Sequence, residues 1–198
     1  MEPTIDLTGK TCLITGGNSG IGKATALELA RKRATVVIVS RDKEKGDAAR
    51  TEIIAKSGNQ NVEVLLADLS SQDSIRRLSS NFEAGHQRLD ILINNAGVYL
   101  TRRSETVDGL ESTLATNHLG PFLLTNLLLE LLKKSAPSRI VNVTSDAHYG
   151  ARINFDDLQG EKRFSGWQAY GQSKLAMILF THELAKRLDG TGVTVNGV

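Results

Sequence analysis

Thr15-Gly16-Gly17-Asn18-Ser19-Gly20-Ile21-Gly22-Lys23 decides how this 198-residue chain is read. It follows the short apolar run Thr11–Thr15 (TCLIT) and opens into a segment with helical spacing of its apolar residues. Glycines let a backbone turn sharply and approach a ligand closely. The helix that follows presents free N–H groups and the positive end of its dipole, which together suit a phosphate or pyrophosphate. A glycine-rich turn that only permits tight strand-to-helix packing is the simpler alternative, and the loop alone does not separate the two.

Working outward, the same alternation repeats. Apolar, β-branched runs occur at Thr11–Thr15, Thr35–Ser40, Val62–Leu66, Asp90–Asn94, Arg139–Thr144 and Val193–Val198. Helical patterns lie between them, at about Gly20–Arg33, Lys43–Lys56, Ser71–Ala84, Gly109–Lys134 and Trp167–Leu188. Continuous apolar runs such as TVVIVS suit strands buried on both faces, which means a parallel sheet covered by helices on each side. Right-handed crossovers then give an α/β fold with a doubly wound parallel sheet, in the expected order 3-2-1-4-5-6. No repeat, linker or low-complexity tract divides the chain, so residues 1–198 read as one domain.

Composition excludes several classes. Apolar residues make up 40% and charged residues 23%, too apolar for a disordered chain and too charged for an integral membrane one. The net charge of +2 is too even to indicate a nucleic-acid or membrane-surface partner. The stretch Leu119 to Leu132 is interrupted by Gly120, Pro121, Asn126 and Glu130 and is too short to span a bilayer. Cys12 is the single cysteine and MEPTIDLTGK contains no leader-like apolar run, so a cytoplasmic location is expected.

Two nucleotide sites compete for the glycine loop. Gly17-xxxx-Gly22-Lys23 nearly matches a triphosphatase P-loop, but Ala24 stands where that loop needs Ser or Thr for magnesium. The other reading is a dinucleotide site with glycines at 16, 20 and 22. In such sites the residue that reads the adenosine ribose ends the second strand, roughly 20 residues after the loop. Arg41 occupies that place, and a guanidinium suits a 2′-phosphate better than a free 2′-hydroxyl. NADP(H) is therefore expected over NAD(H), although Asp42 follows immediately and offsets the charge.

Chemistry is carried further along. Tyr170 and Lys174 are four residues apart, which on a helix puts phenol and ammonium on one face. A free tyrosine titrates near ~10 and is a poor base at neutral pH. A cation roughly 5 Å away, at an effective dielectric of about 20, favours the phenolate by about 3 kcal/mol. Such a tyrosine can take a proton from an alcohol or give one to a developing alkoxide. Ser145 follows the fifth strand, and ligands of parallel sheets sit beyond the carboxyl ends of the strands, where the glycine loop, Asp68 and Asn94–Gly97 also fall. Pro121, four residues after Asn117, has no N–H to give the Asn117 carbonyl; that carbonyl is then free for a bound water, or the helix is distorted there. The histidines at 86, 118, 148 and 182 lack metal-ligand spacing, so no metal is expected. Asn142-Val-Thr144 is a glycosylation sequon by letter only, in a strand that should be buried.

Together, Thr15-Gly-Gly-Asn-Ser-Gly-Ile-Gly22, Asn94-Asn-Ala-Gly97, Asn117, Ser145 and Tyr170-xxx-Lys174 resemble the short-chain dehydrogenase/reductase family, and the likeness covers essentially the whole chain. DILINNAGV, RIVNVTS and YGQSKLAMILFTHELAKRLDGTGVTVN look closest to its retinol dehydrogenase-like branch. The resemblance implies a Rossmann-type fold and hydride transfer between the cofactor and a small alcohol or carbonyl substrate; the alternative is a non-catalytic dinucleotide-binding regulatory module, against which the intact Asn117, Ser145, Tyr170 and Lys174 set speaks. It implies Tyr170 as acid/base, Lys174 lowering its pKa and holding the nicotinamide ribose, Ser145 orienting the substrate oxygen, and Asn117 anchoring a relay water. Cofactor contacts are implied from Gly16, Asn18, Ser19, Gly20, Ile21, Gly22, Arg41, Asp68, Leu69, Asn95, Ala96, Gly97, Tyr170 and Lys174. The leucine-rich helices Leu123–Leu132 and Leu175–Leu188 read mainly as core, with a homodimer interface as the alternative. Relatives continue past a sixth strand into a substrate lid and a seventh strand, so a C-terminally truncated chain with an open pocket and an exposed sixth-strand edge is expected.

Overall fold

The computed structural model describes residues 5–198; residues 1–4, the start of the stretch read above as carrying no leader, lie outside the described residues. Among the described residues six strands form one parallel sheet: β1 Thr11–Thr15, β2 Thr35–Ser40, β3 Val62–Leu66, β4 Ile91–Asn94, β5 Ser138–Asn142 and β6 Val193–Gly197. Their order is β3-β2-β1-β4-β5-β6, as the sequence predicts. The sheet runs from Val36↔Val62 at one side to Ser138↔Val193 at the other, with β3 and β6 at its edges.

Alternation along the strands fills two cores. Cys12, Ile14, Val36 and Ile38 face one side, packing with Ala26 and Ala30 of α1 (Gly20–Arg31) and Ala49 and Ile53 of α2 (Lys43–Ser57). Leu13, Val37, Leu92 and Ile140 face the other, under α3 (Gln72–Gly85), α5 (Gly120–Leu127), α6 (Leu129–Lys134) and α7 (Gly166–Arg187). Cys12 is wholly inside, and burial pushes its thiol up to about 12, so it is an inert core residue. No helix among the described residues is long and apolar enough to cross a membrane. Most of the leucine-rich surface is core, but Phe122 and Leu179 remain exposed on the outer face.

The segment expected as one helix over 109–134 is broken up. Gly109 takes a left-handed turn, and Glu105 bridges to Glu111. The buried Glu111 carboxylate accepts the N–H groups of Thr113 (2.8 Å) and Leu114 (2.7 Å), so helix begins only with α4, Ser112–Leu114. A π-helical turn, Ala115–Leu119, follows, in which the Gly120 N–H reaches back five residues to the Ala115 carbonyl. Pro121 supplies no N–H at this point, and the wide turn is a known way to accommodate such a gap. β5 also starts one residue earlier than the pattern suggested and ends at Asn142, because β4 itself ends at Asn94; the Val143 N–H still reaches the Asn94 carbonyl at 2.9 Å, but Val143 and Thr144 have no residue of β4 opposite them.

Candidate cofactor and catalytic site

β1 delivers Thr15 to the carboxyl end of the sheet, and the chain turns there through left-handed glycines, Gly16 (φ 66°) and Gly20 (φ 52°). A Cβ on Gly22 would lie 2.4 Å from both the Asn95 Nδ2 and the Gly16 carbonyl oxygen. Glycine at 22 therefore lets α1 close onto the loop after β4. That loop is tied down from the other side. The Thr15 hydroxyl accepts the N–H groups of Asn95 and Ala96, both at 3.0 Å, while Asn95 Nδ2 donates to the Thr15 carbonyl at 2.8 Å. Sequence reading missed Thr15 as an organising residue; its signal is a hydroxyl at the last, fully buried position of an apolar strand. The Ser19 carbonyl accepts the Lys23 N–H at 3.0 Å, but its side chain does not cap α1, so the N–H groups of Gly20, Ile21 and Gly22 and the Ser19 hydroxyl stay available.

A cleft of about 590 Å³ opens beside this loop. Of the expected cofactor contacts, Gly16, Asn18, Ser19, Gly20, Ile21, Arg41, Asp68, Leu69, Asn95, Ala96 and Gly97 line it. Ser40 and Lys45 line it too and were not foreseen. Gly22, Tyr170 and Lys174 do not lie on its wall; Gly22 acts from behind, through packing. At the far end, Asp42 caps α2 by accepting the Lys45 N–H at 3.1 Å, and its other oxygen is 3.6 Å from Lys45 Nζ. The acidic neighbour of Arg41 is thus engaged with the helix. Asp68 accepts the Ser70 N–H (2.9 Å) and hydroxyl (2.7 Å), which shapes the turn after β3. Lys23 points away from the loop to Glu52 of α2, at 2.7 Å. Hydrogen bonds from Lys23 and Lys56 hold the Glu52 carboxyl down at about 2. The P-loop reading loses its lysine as well as its magnesium ligand.

The catalytic candidates gather next to Gly97. Lys174 is buried, its Nζ donates to the Val143 carbonyl at 2.9 Å, and it lies 5.6 Å from the Tyr170 ring centroid. Burial lowers the Lys174 pKa. A Cβ on Gly97 would sit 3.4 Å from Asn117 Oδ1 and 3.7 Å from Lys174 Nζ, so this glycine joins the cleft to Lys174. The π-helical turn aims Asn117 inward. Its Oδ1 accepts the Val98 N–H at 2.7 Å, and its Nδ2 donates to the Val98 carbonyl at 2.9 Å and to Ser173 Oγ at 3.0 Å. The Asn117 side chain is therefore a clamp, whatever its main chain does. Ser145 Oγ accepts the Ala147 N–H at 3.2 Å and opens the 3₁₀ turn Asp146–His148, which leaves its own proton free to donate. A Cβ on Gly171 would lie 2.7 Å from the Ala147 carbonyl oxygen, so glycine there seats α7, with Tyr170, against that turn. Asn142 Nδ2 is buried and donates to Thr181 Oγ1 at 2.8 Å, which leaves the sequon inaccessible. Among the described residues no His, Cys, Asp or Glu group could hold a metal. His118 is packed against Phe122 and Phe180, and its burial lowers its pKa.

The residues present fit a dinucleotide. A positive helix end, a glycine cradle that any Cβ at Gly16 or Gly22 would crowd, and a cation at the ribose end line one continuous cleft. Fold and site thus define a doubly wound protein of the dinucleotide-binding type, with a tyrosine–lysine pair behind Gly97 of its cleft. The chain belongs to the short-chain dehydrogenase family, whose model, described as short chain dehydrogenase, matches residues 10–198. It is 54% identical to human retinol dehydrogenase 11 over 98% of this chain and 61% of that protein. It is 50% identical to human retinol dehydrogenase 13 over 97% of this chain and 58% of that protein. Among solved structures, the Pseudomonas aeruginosa RhlG/NADP active-site complex matches all of this chain and 74% of its own at a TM-score of 0.81, with 34% identity. The chain spans about three-fifths of the length of the curated relatives it matches.

Proposed function

We propose that the protein is an oxidoreductase that moves a hydride between NADP(H) and a small alcohol or carbonyl, with Tyr170 as acid/base. The observation that carries this reading is the buried Lys174 ammonium, 5.6 Å from the Tyr170 ring and beside Gly97 of the cofactor cleft. A cation in that place stabilises the phenolate left when Tyr170 gives up its proton. A reduced nicotinamide held by the glycine loop and the cleft beside it would supply the hydride for the carbonyl carbon. Tyr170 donates a proton to the carbonyl oxygen as charge develops there, completing the alcohol, and is reprotonated from solvent. Ser145 donates its free hydroxyl hydrogen to that same oxygen. In the oxidising direction the roles reverse: the phenolate takes the alcohol proton.

NADP(H) over NAD(H) follows from charge. Arg41 is exposed on the cleft wall, while Asp42 is occupied by the α2 terminus and Lys45. Support also comes from the relative solved as an NADP complex. Tyr170→Phe is the test. Turnover across a panel of alcohols and carbonyls should fall about a thousandfold, within the range for loss of an acid/base group. Cofactor affinity, read by fluorescence of the reduced nicotinamide, should stay within a few fold. Turnover equal to wild type would overturn the assignment.

A further inference from the structure

Tyr99 has no place in the reading so far, yet its ring stands edge-on to Tyr170, centroids 5.6 Å apart and planes at 85°. Lys174 lies 5.6 Å from the same Tyr170 ring. Edge-to-face pairs of this kind are favourable and directional, since the positive rim of one ring meets the negative face of the other.

The backbone around Tyr99 is fixed on both sides, and both anchors lead to α7. Before it, Asn117 grips Val98 at its N–H and its carbonyl, then passes to Ser173, whose hydroxyl donates to the Tyr170 carbonyl at 2.7 Å. After it, the Leu100 carbonyl oxygen packs so closely on Gly166, the first residue of α7, that a Cβ there would come within 2.2 Å. A segment held at Val98 and at Leu100 leaves the Tyr99 side chain little choice of direction. Its hydroxyl makes no hydrogen bond among the described residues, and the residue is 51% exposed. The ring rather than the phenol oxygen is thus the part that is held in place.

We infer that Tyr99 is a positioning residue: it fixes the plane of the Tyr170 ring, and so the direction in which the phenol oxygen meets a substrate oxygen. Asn117 and Ser173 set Tyr99 and Tyr170 against each other through the backbone. The inference rests on Tyr170 being the acid/base, so its test needs a readout that does not depend on turnover.

The chain has three tyrosines, at 99, 149 and 170. In a Tyr149→Phe background, both Tyr99→Phe and Tyr99→Leu leave Tyr170 as the sole tyrosine. Ring-labelled tyrosine then gives one set of NMR ring signals. The two proteins should differ in ring chemical shifts, with faster ring flipping in Tyr99→Leu. In kinetics, Tyr99→Leu should lower kcat about tenfold, the scale of a small misplacement of a reacting group. The KM for cofactor should hold steady, and Tyr99→Phe should rescue kcat. Should Tyr99→Leu fail to fold, Tyr99→Met takes its place with the same expectations. Identical Tyr170 ring signals and flip rates in the phenylalanine and leucine variants would overturn the inference. If ring signals differ while the wild type turns over no alcohol or carbonyl, the positioning stands and the hydride-transfer reading falls.

Discussion

The two ends of the sheet use polar side chains in opposite ways. At the amino end two side chains are each held by several partners. Asp90, 2% exposed, receives Lys10 at 2.8 Å, Arg88 at 2.5 and 2.7 Å, and the Thr11 N–H at 2.9 Å. Asn59 similarly donates to the carbonyls of Ala30 and Ala34, closing the β2–β3 side. At the carboxyl end, the Ser19 hydroxyl makes no bond to the helix it precedes, Ser145 keeps a free proton, and Arg41 is exposed on a cleft wall. Parallel sheets put ligands at that end, where strand ends diverge into loops. Polar groups saturated within the protein tie down the amino end, and groups with spare hydrogen-bonding capacity gather at the carboxyl end. The buried Lys174 belongs to both kinds: it is tied to Val143, and it faces Tyr170.

If that division is correct, the largest stability loss should come from the amino end with the cleft left intact. Asp90→Asn removes the charge that Arg88 and Lys10 surround; both cations are partly exposed and rehydrate, so the lost charge-assisted hydrogen bonds cost about 1.5–2 kcal/mol. Urea unfolding should show that loss, while the variant's affinity for cofactor, measured well below its midpoint, should be unchanged. The loss should depend on pH. Burial works to raise the Asp90 carboxyl, but Arg88, Lys10 and the Thr11 N–H outweigh it and hold the group below its ordinary value. Its contribution is therefore complete above the unfolded value of ~3.9 and fades as the pH falls through the lower folded value. Wild type and variant should converge in stability only in strong acid. A gap that stays constant from neutral pH to acid would assign the effect to packing instead.

The converse test lies at the cleft. Arg41→Asp should leave the unfolding midpoint nearly unmoved and weaken NADPH binding by about tenfold to a hundredfold relative to NADH, which is about 1.4 to 2.8 kcal/mol. Direct titration of both reduced cofactors reads this. An unchanged ratio would remove Arg41 from the phosphate site, and with it the proposed preference.

How far the sequence reaches follows the same physical division. Strands β1 and β2 match their apolar runs residue for residue, because burial on both faces leaves an uninterrupted pattern; β3 matches as well, although as an edge strand only Val62 in it is fully buried. The Tyr170–Lys174 spacing is equally local, set by one regular helix. What stayed hidden depends on neighbours distant in sequence. Thr15 meets Asn95 only because β1 pairs with β4. Tyr99 meets Tyr170 only because Asn117 and Gly166 fix the loop between them. The break-up of the 109–134 helix depends on where the Glu111 carboxylate is buried, which no periodicity records. Lys45 reaches the cleft because Asp42 starts α2 directly at the end of β2.

Lys23 offers the finest cut between the two ways of reading the glycine loop, and the smallest expected effect. In a P-loop this lysine reaches the phosphates, and removing it would abolish nucleotide binding. Here it is 2.7 Å from Glu52, a link from α1 to α2 across the outside of the loop. Both partners are about one-third exposed, and surface pairs of that kind contribute about 0–1 kcal/mol. Lys56 stays on Glu52 at 2.6 Å in its absence, so the carboxylate keeps a partner. Lys23→Met should therefore leave NADPH affinity within about twofold and cost at most about 1 kcal/mol of stability, and added salt should narrow the difference. A tenfold loss of cofactor affinity would place the ammonium on the phosphates, and the loop would then hold its ligand by a side-chain charge rather than by backbone N–H groups and the dipole of α1.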